Sequence, residues 1–283
     1  MARALNYSSC YTHAYDSGIA LLHTAFLGMA LLCTTFLCMT ALCSCSQDES
    51  TSSASSSSIA VTSSNASSNA SHDASYDERF NDLMVDGKKV HDATKRALSN
   101  QHVLYASKVQ PEYQFPELPS GCEVVSLTIV LRAAGFELSK TEIADNYLVV
   151  NGSEWGFLTS PYEYNGGGFP PGIVDAANSY LAEQDTLLEA HDLTGSSFDA
   201  ICALVDTGIP VCVWTTLDFN EPNYDYALGA TETWFVNEHC VVLYGILGSE
   251  VLLANPLEGV QTVDAAQFAR TYEQCGNMAL AVY

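Results

Sequence analysis

QFPELPSGCEVVSLTIVLRAAG, Gln114–Gly135, places a cysteine where an irregular segment turns into a helix. Pro116, Pro119, Ser120 and Gly121 keep the first half from being regular. From Cys122 to Ala134 the spacing is helical, with Val124, Leu127, Val130 and Leu131 on one face. Gly135 supplies the stop. Cys122 is therefore expected at a helix N-terminus, where the macrodipole and unpaired N–H groups favour a thiolate. Gly121 would allow close backbone approach by a substrate. Glu123 opposes this, because its charge disfavours ionisation next door, so the thiolate needs a cationic partner.

Downstream, Ser139 and Glu142 form a capping-box pair for a second helix through Tyr147. Residues 151–172 read as a loop rich in Gly, Pro and aromatics. Residues 173–185, 196–208 and 264–276 read as helices. Residues 209–217 and 277–283 read as strands. In HCVVLYGILGSEVLLANP the turn signal Gly248-Ser249-Glu250 predicts a hairpin. With its midpoint at Leu247–Gly248, His239 faces position 255 or 256. Opposed residues share a face, so Asn255 can hold the imidazole of His239. Cys240 and Ala254 then point the other way, into the core. Helices precede strands, which predicts an α+β domain with an antiparallel sheet.

A thiol at a helix start, a histidine at a strand start and an amide on the returning strand form a nucleophile–base–orienter set. The other histidines fall in the leader, the tether, the segment before the domain, or a loop (His191). Cys202, Cys212, Cys240 and Cys275 read as core residues or as two bridges with three possible connectivities. The two-bridge count leaves Cys122 as the odd thiol. NGGGFPPG is not a phosphate loop, because no Lys-Ser/Thr follows. No cluster has metal-ligand spacing, and no cofactor is expected.

The N-terminal part carries a different message. No charged residue lies between Ser17 and Ser46, and this apolar run could span a bilayer. It ends in LCSC, Leu42–Cys45, which resembles a bacterial lipobox with Cys45 as the lipidated residue. A retained membrane anchor is the alternative. Either places the rest of the chain outside the membrane, tethered to the cell surface. The Ser/Ala/Asn tract that follows cannot bury enough apolar surface to fold, and reads as a flexible tether. The expected organisation is a signal or anchor over 1–45, a tether over 46–78, a helical leader over 79–103 broken near Gly87, and a domain over 104–283. A short strand is expected over His102–Val109. The net charge of −23 disfavours sequence-independent nucleic-acid binding, which needs a basic surface.

The segment Gln114–Gly135 resembles the nucleophile segment of C39-like cysteine peptidases, a branch of the papain-like fold. GIPVCVWTT resembles their central strand, and EHCVVLYG with LLANPLEG their histidine hairpin. The resemblance runs from Val109 to Tyr283, with all motifs in order. It implies a papain-like fold with N-terminal helices packed on an antiparallel sheet. Cys122 is implied as nucleophile, His239 as general base, Asn255 as orienter and Gln114 as oxyanion-hole donor, with Gln110 a rival for that last role. Many relatives carry Asp where Asn255 stands; an amide can fix the tautomer but stabilises imidazolium less. The implied activity is hydrolysis of peptide bonds in a peptide or protein substrate. A cell-wall peptide amidase or transpeptidase, or a non-catalytic binding module on the same fold, are the alternatives. Trp155, Phe157, Tyr162, Tyr164 and Trp234 are candidate cleft aromatics.

Overall fold

The long apolar runs of the C-terminal half form one six-stranded antiparallel sheet, in the order β3-β8-β4-β5-β6-β7. Its strands are β3 (Ala190–Asp192), β4 (Val211–Thr216), β5 (Glu238–Leu247), β6 (Glu250–Asn255), β7 (Gly259–Asp264) and β8 (Ala279–Val282). The computed structural model describes residues 76–153, 156–224 and 234–283. The anchor, the lipidation candidate Cys45 and nearly all of the tether lie outside the described residues, as does Trp155. No described helix is long and apolar enough to cross a membrane.

Both faces of the sheet are covered, which is why β4 is buried at every position and reads as a continuous apolar run. Strand alternation sends Cys212, Trp214, Cys240, Val242 and Ala254 to one face. There they pack with α2 (Cys122–Ala134) and α4 (Pro170–Leu181). Val211, Val213, Val241, Leu243, Val251 and Leu253 go to the other face, against α5 (Phe198–Asp206) and α6 (Ala265–Gln274). The α+β class and the antiparallel sheet are as expected, with helices on both faces. Helix α2 is buried all round except at Arg132 and Ala134, as befits a helix apolar on every side.

Several local expectations are corrected. The leader is not two helices: Met84–Val85 (β1) and Lys88–Lys89 (β2) pair as a small hairpin. Its turn residues Asp86 and Gly87 both have positive φ, the conformation a two-residue hairpin turn requires. Only Asp92–Ser99 (α1) is α-helical there. No strand forms over His102–Val109. Its backbone N–H groups at Val103 and Ala106 go instead to the carbonyls of Thr207 and Gly208. The helix expected from residue 173 begins at Pro170, because proline is well suited to the first helical turn. Ser139 does precede α3 (Lys140–Asn146), but its hydroxyl meets Thr141 at 3.2 Å and caps no backbone group.

The leader is locked to the domain at Gly208, whose φ is +94° and whose Cβ, if present, would lie 1.8 Å from the Val103 carbonyl oxygen. Gly208→Ala is expected to cost about 2 kcal/mol from backbone strain and steric conflict. Urea denaturation measures it, and an unchanged midpoint would show that the leader can detach without loss.

Candidate functional site

Cys122 opens α2 as its first residue, with Gly121 as N-cap. It is buried, 7% exposed. The loop before it is held in shape by its own polar groups. The Gln114 side chain donates from Nε2 to the Pro119 carbonyl at 2.8 Å, and its backbone N–H donates to the Pro256 carbonyl at 2.9 Å. Gln114 is thus fixed between the nucleophile loop and the turn after β6. Its second Nε2 hydrogen has no acceptor among the described residues.

His239 and Asn255 come together as expected: His239 Nε2 and Asn255 Oδ1 are 2.7 Å apart, both residues buried. The register differs from the expectation. A bulge between Leu243 and Gly245 shifts the pairing, so that Val242 opposes Ala254. Continued to the strand ends, this register sets Asn255 opposite Val241 and diagonal to His239, and the long side chains close the gap. Asn255 cannot flip its amide. Its Oδ1 also accepts the Leu257 N–H at 2.9 Å, and its Nδ2 donates to Gln261 Oε1 at 2.9 Å. With oxygen facing the ring, His239 must carry its proton on Nε2. The Nδ1 lone pair is then the basic one. Burial lowers the His239 pKa to about 4, against the opposing effect of the Asn255 hydrogen bond. The imidazole is therefore neutral at rest.

The thiol stands at the helix start as expected, but its partners are not the cation the sequence called for. Cys122 Sγ donates to Glu123 Oε2 at 3.2 Å and lies 4.0 Å from Glu238 Oε2. No hydrogen bond joins it to His239 among the described residues. Alternation along β5 turns Glu238 and Cys240 toward α2, and His239 with Val241 toward the face of Leu253 and Asn255. Burial, and then the charges of Glu123 and Glu238, push the Cys122 thiol well above its ordinary value. At this position they outweigh the helix N-terminus that the sequence suggested would lower it.

Glu123 is fully buried. Burial pushes its pKa up to about 7, and Gly168 N–H donates to its Oε1 at 2.6 Å. The Glu238 carboxyl is likewise raised, by burial and by the charge of Glu123. Cys122, Glu123 and Glu238 bring one potential ligand atom each within 4.8 Å of one another. Local spacing could not reveal this set, because Glu238 lies on a distant strand.

The glycine run has a packing reason. Gly166 N–H donates to Ser120 Oγ at 3.1 Å, and the Gly168 carbonyl accepts from Trp214 Nε1 at 2.8 Å. A Cβ on Gly167 would lie 1.9 Å from the Trp234 ring. The loop is thereby laid against the start of α2. Of the candidate cleft aromatics, Phe157 is wholly buried and belongs to the core. Tyr162 and Tyr164 are exposed, and Trp234 packs edge-to-face on Phe169. All five described cysteines are buried free thiols, so the two-bridge alternative for Cys202, Cys212, Cys240 and Cys275 is not realised.

Sequence reasoning did not single out Glu238, Gln261 or Lys140. Gln261 lies on β7, where Leu253 opposes it and Asn255 opposes Gly259. The strand pairing is the signal that would have found it. Glu238 was adjacent to a chosen residue but on the opposite side of the strand.

Three comparisons bear on this arrangement. The family profile described as "Peptidase_C39 like family" matches residues 106–280. The Bacillus subtilis (strain 168) protein YvpB, described as uncharacterized, is 30% identical over 188 residues, covering 59% of this chain and 70% of YvpB. A crystal structure of a candidate C39-like peptidase from Bacillus anthracis superposes with a TM-score of 0.52 at 29% identity, covering 62% of this chain and 95% of that one.

Proposed function

The chain belongs to the Peptidase_C39-like family, and from that premise we propose that it is a cysteine peptidase acting on peptide bonds at the outer face of a bacterial membrane. The family and the fold support a cysteine peptidase-like function. The observation that carries the finer reading is the buried His239–Asn255 pair, with its tautomer fixed by Leu257 and Gln261. A histidine held with Nδ1 unprotonated is prepared to take a proton, which a structural histidine does not require.

In this reading the structure is a resting form: on substrate binding the thiol leaves Glu123, Sγ and His239 Nδ1 come within hydrogen-bond reach, and the proton passes to Nδ1 as Sγ attacks the substrate carbonyl carbon. The C–S bond forms and the carbonyl oxygen becomes an oxyanion. The free N–H of Gln114 and the Cys122 backbone N–H at the start of α2 receive it. His239 then gives the proton to the leaving amine as the C–N bond breaks. Water, deprotonated by His239, cleaves the thioester and restores the thiol. Tethering to the membrane through Cys45 or a retained anchor places this chemistry outside the cell, with peptides or cell-wall peptides as substrates.

The carboxyl cage around Cys122 favours a second reading, a binding module that keeps the fold without turnover. The pH dependence of Cys122 alkylation, located by peptide mass mapping, separates the two. If Cys122 reacts well below pH 8 and His239→Ala abolishes that reactivity, the thiol and imidazole work together. If Cys122 reacts only above pH 8.5 whether or not His239 is present, the catalytic reading fails.

A further inference from the structure

The loop that carries Gln114 has no regular structure, yet one side chain gathers it. The Nζ of Lys140, at the start of α3, donates to the carbonyl of Tyr113 at 2.6 Å, of Phe115 at 3.2 Å and of Gln114 at 3.4 Å. It also pairs with Glu117 at 2.6 Å and lies 4.0 Å from Glu112. Its side chain is 13% exposed, while its partner Glu117 stays half exposed. The Lys140 ammonium holds the Glu117 carboxyl below its ordinary range.

Three consecutive carbonyls turn to one side. Lys140 Nζ, with its several donors, collects the Tyr113 and Phe115 carbonyls, while the Gln114 carbonyl between them takes its shorter bond from the Leu118 N–H at 2.9 Å. The residue at the centre of this triplet is Gln114, whose side chain projects from the same backbone toward Pro119, three residues before Cys122. The peptide planes on either side of Gln114 carry the Tyr113 and Phe115 carbonyls that Lys140 holds, so releasing them would let the Gln114 side chain turn about the Leu118 bond. The same loop touches the turn that follows Asn255: Gln114 N–H meets the Pro256 carbonyl, and a Cβ on Gly259 would lie 2.7 Å from the Tyr113 hydroxyl. The loop is therefore held between α3 and the β6–β7 turn.

We propose that Lys140 is a positioning residue for the oxyanion hole, fixing the amide of Gln114 by clamping the carbonyls of residues 113–115. This rests on the reading of Cys122 and Gln114 given above. A displacement of about 1 Å in such a donor is enough to lose most of its effect on a developing oxyanion.

The test compares two reagents that alkylate the same thiol in the full domain. A peptidyl chloromethyl ketone reacts through a tetrahedral oxyanion and so reads the hole. Iodoacetamide attacks directly and does not. For Lys140→Met, the ketone inactivation rate should fall on the order of tenfold to a hundredfold, with the iodoacetamide rate within about twofold of wild type. Gln114→Ala should show the same ratio, and Lys140→Met added to Gln114→Ala should lower it no further. Lys140→Arg should recover part of the ketone rate. Equal loss with both reagents, no loss with either, or additive effects with Gln114→Ala would overturn the role of Lys140. If Lys140→Met does not fold, judged by circular dichroism, Lys140→Gln takes its place with the same criteria. If the wild type shows no preference for the ketone and Gln114→Ala changes neither rate, the oxyanion reading itself fails. Lys140 then has nothing to position.

Discussion

Cys122→Ala should lower peptide hydrolysis by about 10⁴-fold or more, to the level left by binding and the oxyanion donors alone. The alanine fits the buried position, since α2 is packed on all sides by groups that do not depend on the sulfur. His239→Ala should cause a loss of similar size. The double variant should be no worse than either single one, because thiol and imidazole act as one unit. The measurement is turnover of a peptide library or of purified cell-wall peptides, by mass spectrometry, with urea denaturation to show that each variant folds. Hydrolysis that survives Cys122→Ala would remove the covalent mechanism. Losses that multiply in the double variant would separate His239 from the thiol.

Glu123→Gln should stabilise the protein above pH 7 by about 3 kcal/mol and make the thiol more reactive. In the folded chain Glu123 keeps its proton up to about pH 7, against 4.5 for an ordinary glutamate. A group raised on folding adds stability that is complete below pH 4.5 and is lost as pH climbs through 7. The gap between the two values converts to about 3 kcal/mol. His239 acts in the opposite sense. Its folded value of about 4 lies below the ordinary 6.5, so its contribution is complete above pH 6.5 and is lost as pH falls through 4.

Between pH 4.5 and 6.5 the two slopes oppose each other, and these two groups together leave wild-type stability nearly flat there. With Gln at 123 the Glu123 slope disappears, so stability across that interval should fall less steeply, or rise more, with pH than in wild type. The raised Glu238 carboxyl contributes a loss from pH 4.5 upward in both proteins, smaller in the variant because the charge of Glu123 is gone. The glutamine also replaces an anion with an amide that can donate to Sγ while accepting from Gly168. Cys122 alkylation at pH 7 should then accelerate by about tenfold. Denaturation midpoints from pH 4 to 9 and alkylation rates check both effects. A variant less stable than wild type at pH 8 would mean that the Gly168 hydrogen bond to an ionised Glu123 outweighs the cost of burying it.

Much of the candidate site was legible because each part rests on a local rule. A Pro/Gly-rich segment before an apolar helix places Cys122 at a helix start. Alternation places Cys240 and Ala254 in the core, and the Gly248-Ser249-Glu250 turn signal brings His239 and Asn255 to one hairpin. Gln114 and its role came from the resemblance rather than from spacing. The register was misjudged because a bulge at Leu243/Gly245 carries no strong sequence signature. The leader hairpin was misread because Phe80, Leu83 and Met84 fit a helical spacing as readily as a short turn and strand.

By itself the sequence determined the class of fold, the position of the thiol at the head of α2, and the pairing of His239 with Asn255. These depend on hydrophobic period, turn residues and alternation, which act over a few neighbouring positions. Only the tertiary structure decided what surrounds the thiol. Glu238 reaches Cys122 across 116 positions, Gly168 holds Glu123 across 45, and Lys140 gathers carbonyls 25 to 27 positions away. Electrostatic and hydrogen-bond energies depend on distance and burial in space, and neither is encoded in separation along the chain. The thiol's environment therefore emerged only once the sheet had brought these segments together.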